Sequence, residues 1–278
     1  MIDYKSLTNQ NTETNLRLMK NADYILLHFT DMTGALRGRT IPAEEVERAL
    51  KEGVGFDGSS LVGGVNIEES DMIMKPNVST FAVCPYYFYD KSVVSLICDL
   101  YQPNGKRFES DPRYVCQKAM NRIRAEGYEP TAAAELEFYL AQKSNEGQFN
   151  PVENYIIDKQ RYFDAIPGRD ITETYRMDLS NALFAMGIIV ERLQHEVGSA
   201  QNEITFRYSN PAATSDNIIR YKFAAKAVAN KEYGWIATFM PKPWVGKAGN
   251  GMHVHLGLFS QENGENLFYD PEGYAYIS

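Results

Sequence analysis

TAAAELEFYL, residues 131–140, reads as a buried strand in which two acids alternate with Ala134, Leu136 and Phe138. Two of its polar positions are Glu135 and Glu137, which on a strand turn their carboxylates to one face. Upstream, YILLHFTDMTGALRGRTI (24–41) predicts strand, turn and strand, with the turn at 31–34. Pro42 then opens a short helix, AEEVERALKEG, which Gly53 ends. Strand-like runs follow at 80–87 and 92–100, and Asp111-Pro112 starts a helix that stops at Gly127. Further on, Asp170 is expected to cap a helix reaching about Met186. IIVERLQHEV and NEITFRY read as strands on either side of the turn GSAQ, 214–233 as a helix, and WIATFM and GMHVHLGLF as strands.

Pro103, Asn104 and Gly105 cluster where the pattern changes, so the expected domains are 1–104 and 105–278. The second set of elements predicts a mainly antiparallel sheet with helices on one side. The whole is therefore of the α+β class.

Composition removes several function classes. The formal charge of −8 and the lack of any basic block argue against a nucleic-acid partner and leave room for a cation site. No stretch approaches the roughly 18 consecutive apolar residues of a membrane span, and the N-terminus has no apolar signal region. Cys84, Cys98 and Cys116 cannot all pair and form no CxxC, so the expected setting is reducing and cytoplasmic. Gly53, Gly55 and Gly58 spell GxGxxG, but the stretch follows a helix and leads into extended chain, the reverse of a dinucleotide site. There is no GxxxxGK[ST] either, so a nucleotide would need metal ions to cradle its phosphates.

The candidate chemistry lies in the acids. Besides Glu135 and Glu137, Glu196 in LQHEV and Glu203 in NEITF flank a short turn, and His253 lies on GMHVH. Taken singly, an acid near a strand end is ordinarily solvated and a lone histidine ordinarily a satisfied core residue. Together on strands in apolar surroundings they would repel, and a divalent ion would offset that repulsion. Oxygen-rich donors with one imidazole favour Mg²⁺ or Mn²⁺ over zinc, and His195-Glu196 is not part of an HExxH.

FDGSS (56–60) with IEESDM (67–72), AELEF (134–138), HEVGSAQNEI (195–204), and TFMPKP followed by GNGMHVH (238–255) resemble, in order, the signatures of glutamine synthetase, in its shorter bacterial and archaeal form. That resemblance implies a small β-grasp N-terminal domain, a larger catalytic domain, and a homo-oligomeric ring, a dodecamer in the family, with active sites between neighbours. It implies ATP-dependent ligation of ammonium to L-glutamate through γ-glutamyl phosphate, giving glutamine. Carried over by motif, Glu137, Glu196 and Glu203 would hold the metal nearer glutamate, with Glu135 and His253 on the metal at the ATP phosphates. His255 would contact the phosphates, Glu191 and Tyr208 the nucleotide, Gly249 the amino acid through its backbone, and Tyr162 the ammonium pocket. Asp57, reaching from the neighbouring subunit, would bind ammonium and take its proton.

Two positions depart from the family pattern: Ala248 stands where NGSGMH has asparagine, and Gly257 where a serine often helps hold adenine. A relative that ligates an organic amine is therefore the alternative reading, and retention of Asp57 favours ammonia. The stretch that in the family follows YDPEGYAYIS supplies a further ligand glutamate, a flap glutamate and several arginines. The catalytic domain is thus expected to be incomplete, the chain being a fragment or a shortened relative. On its own it is expected to bind Mg²⁺ or Mn²⁺ weakly and make no measurable glutamine, leaving an inactive truncated homologue as the third reading.

Overall fold

The computed structural model describes residues 12–144, 146–153 and 168–277. Two compact units emerge: one runs to Pro130 and resumes at Leu258, and the other is Thr131–Gly257.

In the first unit, α1 (Thr12–Lys20) precedes β1 (Tyr24–Thr30) and β2 (Leu36–Pro42). A 3₁₀ turn leads into α2 (Val46–Glu52), followed by β3 (Val54–Asp57), β4 (Asp71–Pro76), β5 (Ala82–Val83), β6 (Val93–Tyr101) and α3 (Pro112–Ala125). The sheet order is β2-β1-β6-β4-β3, with β5 also on β6, and β1 runs parallel to β6. Alternate residues of the two central strands share one face: Ile25, Leu27 and Phe29 with Val94, Leu96, Cys98 and Leu100. They bury Met19 of α1 and Val46 of α2, forming one apolar core.

The β1–β2 turn is held by one buried carboxylate. Asp31 Oδ1 accepts from Thr33 N (2.9 Å), Thr33 Oγ1 (2.6 Å) and Ala35 N (3.2 Å), and Oδ2 from Arg37 Nε (2.8 Å). Gly34 takes the left-handed φ of 73° that the turn needs. Burial would raise the Asp31 carboxyl, but the bonds from Thr33, Arg37 and Ala35 outweigh it and hold the group below its usual range. A depressed carboxyl contributes stability above its unfolded pKa and loses it as pH falls through the folded one. Asp31→Ala is therefore expected to cost about 2 kcal/mol at pH 7, and less below about pH 4, in urea titrations. A loss that stays constant with acidification would contradict the assignment.

The second unit holds β7 (Tyr128–Lys143, whose first residues lie in the first unit), β8 (Phe149–Pro151), α4 (Glu173–Ala185), β9 (Val190–His195) and β10 (Gln201–Phe206). It continues with α5 (Pro211–Tyr233), β11 (Ile236–Thr238) and the start of β12 (Met252–Ser260). Its sheet runs β11-β7-β10-β9, with β8 and β12 also on β7, and the pairings of β7 with β8, β10 and β11 are antiparallel. Strand β7 alternates as expected: Ala134, Leu136 and Phe138 are buried, while Glu135 and Glu137 are half-buried on the opposite face. Behind the sheet, Phe138 meets the rings of Phe239, Tyr175 and Tyr221 at 5.2, 6.0 and 6.1 Å. Helix α5 buries Ala224, Ala225, Val228 and Ala229, and these small side chains let Tyr175 Oη donate to the Ala225 carbonyl (2.8 Å).

Several sequence expectations need correction. Residues 80–87 hold only the two-residue β5 between 3₁₀ turns, because Pro85 lacks the N–H that a continuing ladder requires. Helix α5 begins at Pro211, not 214, since the side chain of Asn210 caps it by accepting from Ala213 N (3.0 Å). The residue before α4 is Thr172, not Asp170, whose carboxylate bonds to Thr172 and Arg176 instead. Helix α1 and strand β4 were not expected. No helix among the described residues is long and apolar enough to cross a membrane.

Candidate active site

Strand register sets the acids side by side. Glu203 on β10 lies opposite Glu137 of β7 on one edge and Gln194 of β9 on the other. Two residues along, on the same face, Thr205 is flanked by Glu135 and Arg192. Glu196, just past β9, joins the first row through Gln194, whose Nε2 donates to Glu196 Oε1 (2.8 Å) and Glu203 Oε1 (3.0 Å). Glu196 and Glu203 are both buried.

Burial, and then the charges of Glu196, Glu135 and Glu137, push the Glu203 carboxyl up to about 7, with Arg192 opposing them only in part. So much like charge around one buried acid is the electrostatic setting that a bound cation would relieve. Among the described residues, no three His, Cys, Asp or Glu side chains are already gathered as a metal cage. The donors stand in rows, with glutamine amides between them, and their oxygen-rich chemistry fits a hard divalent ion.

Strand β12 brings the imidazoles. His255 Nε2 lies 3.3 Å from Glu135 Oε1. His253 is on the Glu137 side: a Cβ on Gly251 would sit 3.2 Å from Glu137 Oε1 and 3.8 Å from His253 Nε2. Glu135 is expected to share a metal with His253, and the imidazole in direct contact with it here is that of His255, expected at the phosphates. Gly251 N donates to Glu137 Oε2 (3.1 Å), and the Glu137 N–H donates to the Gly251 carbonyl (3.2 Å). Gly249, the expected amino-acid contact, thus lies in the segment laid directly beside Glu137, and its carbonyl accepts from Gln201 Nε2 (2.9 Å).

Glu191 and Tyr208 lie at the open end of the β9–β10 hairpin, about 15 Å along the strands from the acids near its turn. Both are exposed, and Glu191 Oε1 faces Arg207 Nε at 3.5 Å. Asp57 ends β3 in the first unit and caps a 3₁₀ turn, where its Oδ1 accepts from Ser59 N (2.9 Å) and Ser59 Oγ (2.6 Å). Those bonds, the hydroxyl first, hold its carboxyl below the usual range. Tyr162 lies outside the described residues.

Sequence reading passed over Arg192, Gln194 and Gln201. Their signal was parity: each lies an even number of residues from an acid on its own strand or turn, and so shares its face.

Comparison with known proteins fits this arrangement. Residues 21–103 match the glutamine synthetase β-grasp domain, and residues 109–278 the glutamine synthetase catalytic domain. The glutamine synthetase of Thermotoga maritima is 41% identical over 262 residues, 94% of this chain and 58% of that protein. That of Thermus thermophilus is 40% identical over 93% of this chain and 57% of its own length. A solved structure of GmaS without ligand superposes with a TM-score of 0.83 at 25% identity, covering 96% of this chain and 61% of that one. The chain thus spans a little under three fifths of the two glutamine synthetases. With the domains matched in order over nearly all of its residues, it belongs to the glutamine synthetase family.

Proposed function

We propose that this chain contributes to the ATP-dependent ligation of ammonia to the side-chain carboxylate of L-glutamate. The observation that carries this reading is the row of acids across β7 and β10, which leaves Glu203 held up to about 7. In this assignment Glu137, Glu196 and Glu203 hold Mg²⁺ or Mn²⁺ at the glutamate side, and Glu135 and His253 hold it at the ATP side. Bound there, divalent cations screen the charge between ATP and glutamate and polarise the γ-phosphoryl group. His255 faces the phosphates from beside Glu135. Glu191 and Tyr208, at the far end of the hairpin, take the nucleoside end of ATP. Gly249 meets glutamate through its backbone, and Tyr162 lines the ammonium pocket.

Asp57 serves the second half-reaction. Ser59 keeps its carboxylate ionised at neutral pH, so it can hold ammonium and receive a proton. Asp57 is assigned to a neighbouring subunit's site in a homo-oligomeric ring. Ligation to an organic amine is the second reading. Ala248 favours it, because a methyl stands where the family pattern has a polar side chain.

The test begins with Mn²⁺ binding, measured by titration calorimetry on wild type and on Glu203→Gln. Wild type should bind, and the variant should lose about 10-fold or more, since even residues behind metal ligands typically cost about 10–100-fold. Wild-type protein that ignores Mn²⁺ would remove the metal assignment. In the assembled enzyme, phosphate release that requires ATP, glutamate and ammonium together, with methylammonium as comparison, then separates the two amine readings.

A further inference from the structure

Gln201 is a polar side chain sealed inside the protein, only 1% exposed, at the point where the acid row meets the 248–251 segment. A buried primary amide is costly unless its carbonyl and both N–H groups find partners. Here Oε1 accepts from Gly198 N (2.9 Å). Nε2 faces Gly249 O (2.9 Å), Glu137 Oε2 (3.0 Å) and Asn250 Oδ1 (3.0 Å), so two hydrogens are shared among three acceptors. The orientation of Asn250 is set independently, because its Nδ2 donates to the Met240 carbonyl (2.9 Å).

The consequence for Glu137 is directional. Gln201 Nε2 and Gly251 N both donate to Oε2, and Oε1 takes neither bond. One oxygen is anchored while the other stays on the His253 side. A second tie runs in parallel: Tyr139 Oη donates to the Ala248 carbonyl (2.9 Å). The turn at Gly198 can lie against that ring only because it has no side chain, since a Cβ there would sit 1.9 Å from the Tyr139 hydroxyl oxygen. Ala248, Gly249, Asn250 and Gly251 are each tied to β7 or β10 in turn.

We propose that Gln201 is a positioning residue that couples the backbone at Gly249 to the carboxylate of Glu137. It presents Glu137 Oε1 to a cation and fixes the Gly249 carbonyl in the same act, so binding on the glutamate side and the metal side share one hinge atom. The inference rests on the assignment of Glu137 to a metal and of Gly249 to the amino acid.

Gln201→Met preserves volume and removes every hydrogen bond, and Gln201→Asn keeps an amide one methylene too short to reach Glu137. Two measurements are made on the purified chain. Without added cation, amide hydrogen exchange at 249–251 should quicken by about 10-fold or more in both variants, with the thermal midpoint held close to that of wild type. Mn²⁺ binding should weaken by about 10–100-fold, as for groups that orient a ligand. Unchanged exchange at 249–251 in a folded variant overturns the proposal. So does faster exchange with unaltered Mn²⁺ affinity, since the loop and the carboxylate would then be independent. Should Gln201→Met fail to fold, Gln201→Asn carries the same two readings. Failure of wild type to bind Mn²⁺ overturns the coupling along with the metal assignment. Failure of the inference alone shows only as the difference between variant and wild type.

Discussion

Arg176→Leu is expected to destabilise the protein by about 3–5 kcal/mol, the range for removing one member of a buried ion pair. The guanidinium is buried on α4 and bonds to three groups at once. Nη2 donates to Asp170 Oδ2 (2.5 Å), and Nη1 donates to Asn202 Oδ1 (2.6 Å) and Thr172 Oγ1 (2.9 Å). Asp170, Thr172 and Asn202 are themselves buried, so leucine takes the guanidinium from a buried carboxylate and leaves Asn202 Oδ1 to share the Thr172 hydroxyl (2.9 Å) with Asp170. Asp170 would retain the Thr172 amide and hydroxyl, which places the cost nearer the lower bound. Asn202 is the chain neighbour of Glu203 and lies opposite His195, so the network is the floor on which the acid-bearing turn rests. The measurement is a guanidinium titration read by tyrosine and tryptophan fluorescence, with m compared to exclude a change in the unfolded state. Asp170→Asn combined with Arg176→Leu should recover part of the loss, because the uncompensated charge is then gone. A cost under about 1 kcal/mol for the single variant would mean that water reaches the pair, and that the floor is not buried as described.

What could be read from the sequence followed from how strongly each element depends on local pattern. Strand β7 was legible because Ala134, Leu136 and Phe138 alternate with Glu135 and Glu137, and packing behind the sheet enforces that same alternation. The helix after residue 210 was legible as a helix, but its start was misplaced. Asn210-Pro211 is a cap followed by a first-turn proline, and the apolar period takes hold only later. The stretch 80–87 misled because aromatic and apolar residues suit a strand equally well when they are buried by 3₁₀ turns, as Phe88 is. Strand β4 carried a signal in Met72 and Met74, both fully buried, yet its short length and its acidic approach concealed it. The acids could be named from motifs. Their lateral order could not, since it depends on which residue of β10 falls opposite Glu137. Gln194 and Gln201 belong to that hidden part: a neutral amide carries no motif, and only the register shows that it stands between carboxylates. The contact of His255 with Glu135 is of the same kind, because His253 and His255 share one face of β12 and only the pairing with β7 decides which of them touches that carboxylate.

On the proposed ammonium role, Asp57→Ala should lower kcat/KM for ammonium by roughly 10²-fold in the assembled enzyme, the low end of what a positioned acid–base group contributes. The geometry also says where the loss should fall. Two hydrogen bonds from Ser59 hold the Asp57 carboxyl below its usual range, which makes it a weak base but a dependable anion at neutral pH. In the proposed role its leading contribution would be to draw ammonium out of water and hold it, with proton transfer following as the cation loses its solvation. KM for ammonium should therefore rise by a larger factor than kcat falls. Hydroxylamine provides the control, because it is already neutral at pH 7 and needs neither charge recognition nor prior deprotonation. The penalty for Asp57→Ala should shrink by about 10-fold or more with hydroxylamine as the nucleophile. An equal loss with both nucleophiles would assign Asp57 to the architecture of the β3–β4 end, where it lies opposite Asp71, and not to the ammonium step. Methylammonium completes the comparison. If it supports turnover as well as ammonium does in the unmutated enzyme, the space beside Asp57 admits a substituted amine, and the organic-amine reading replaces the ammonia one.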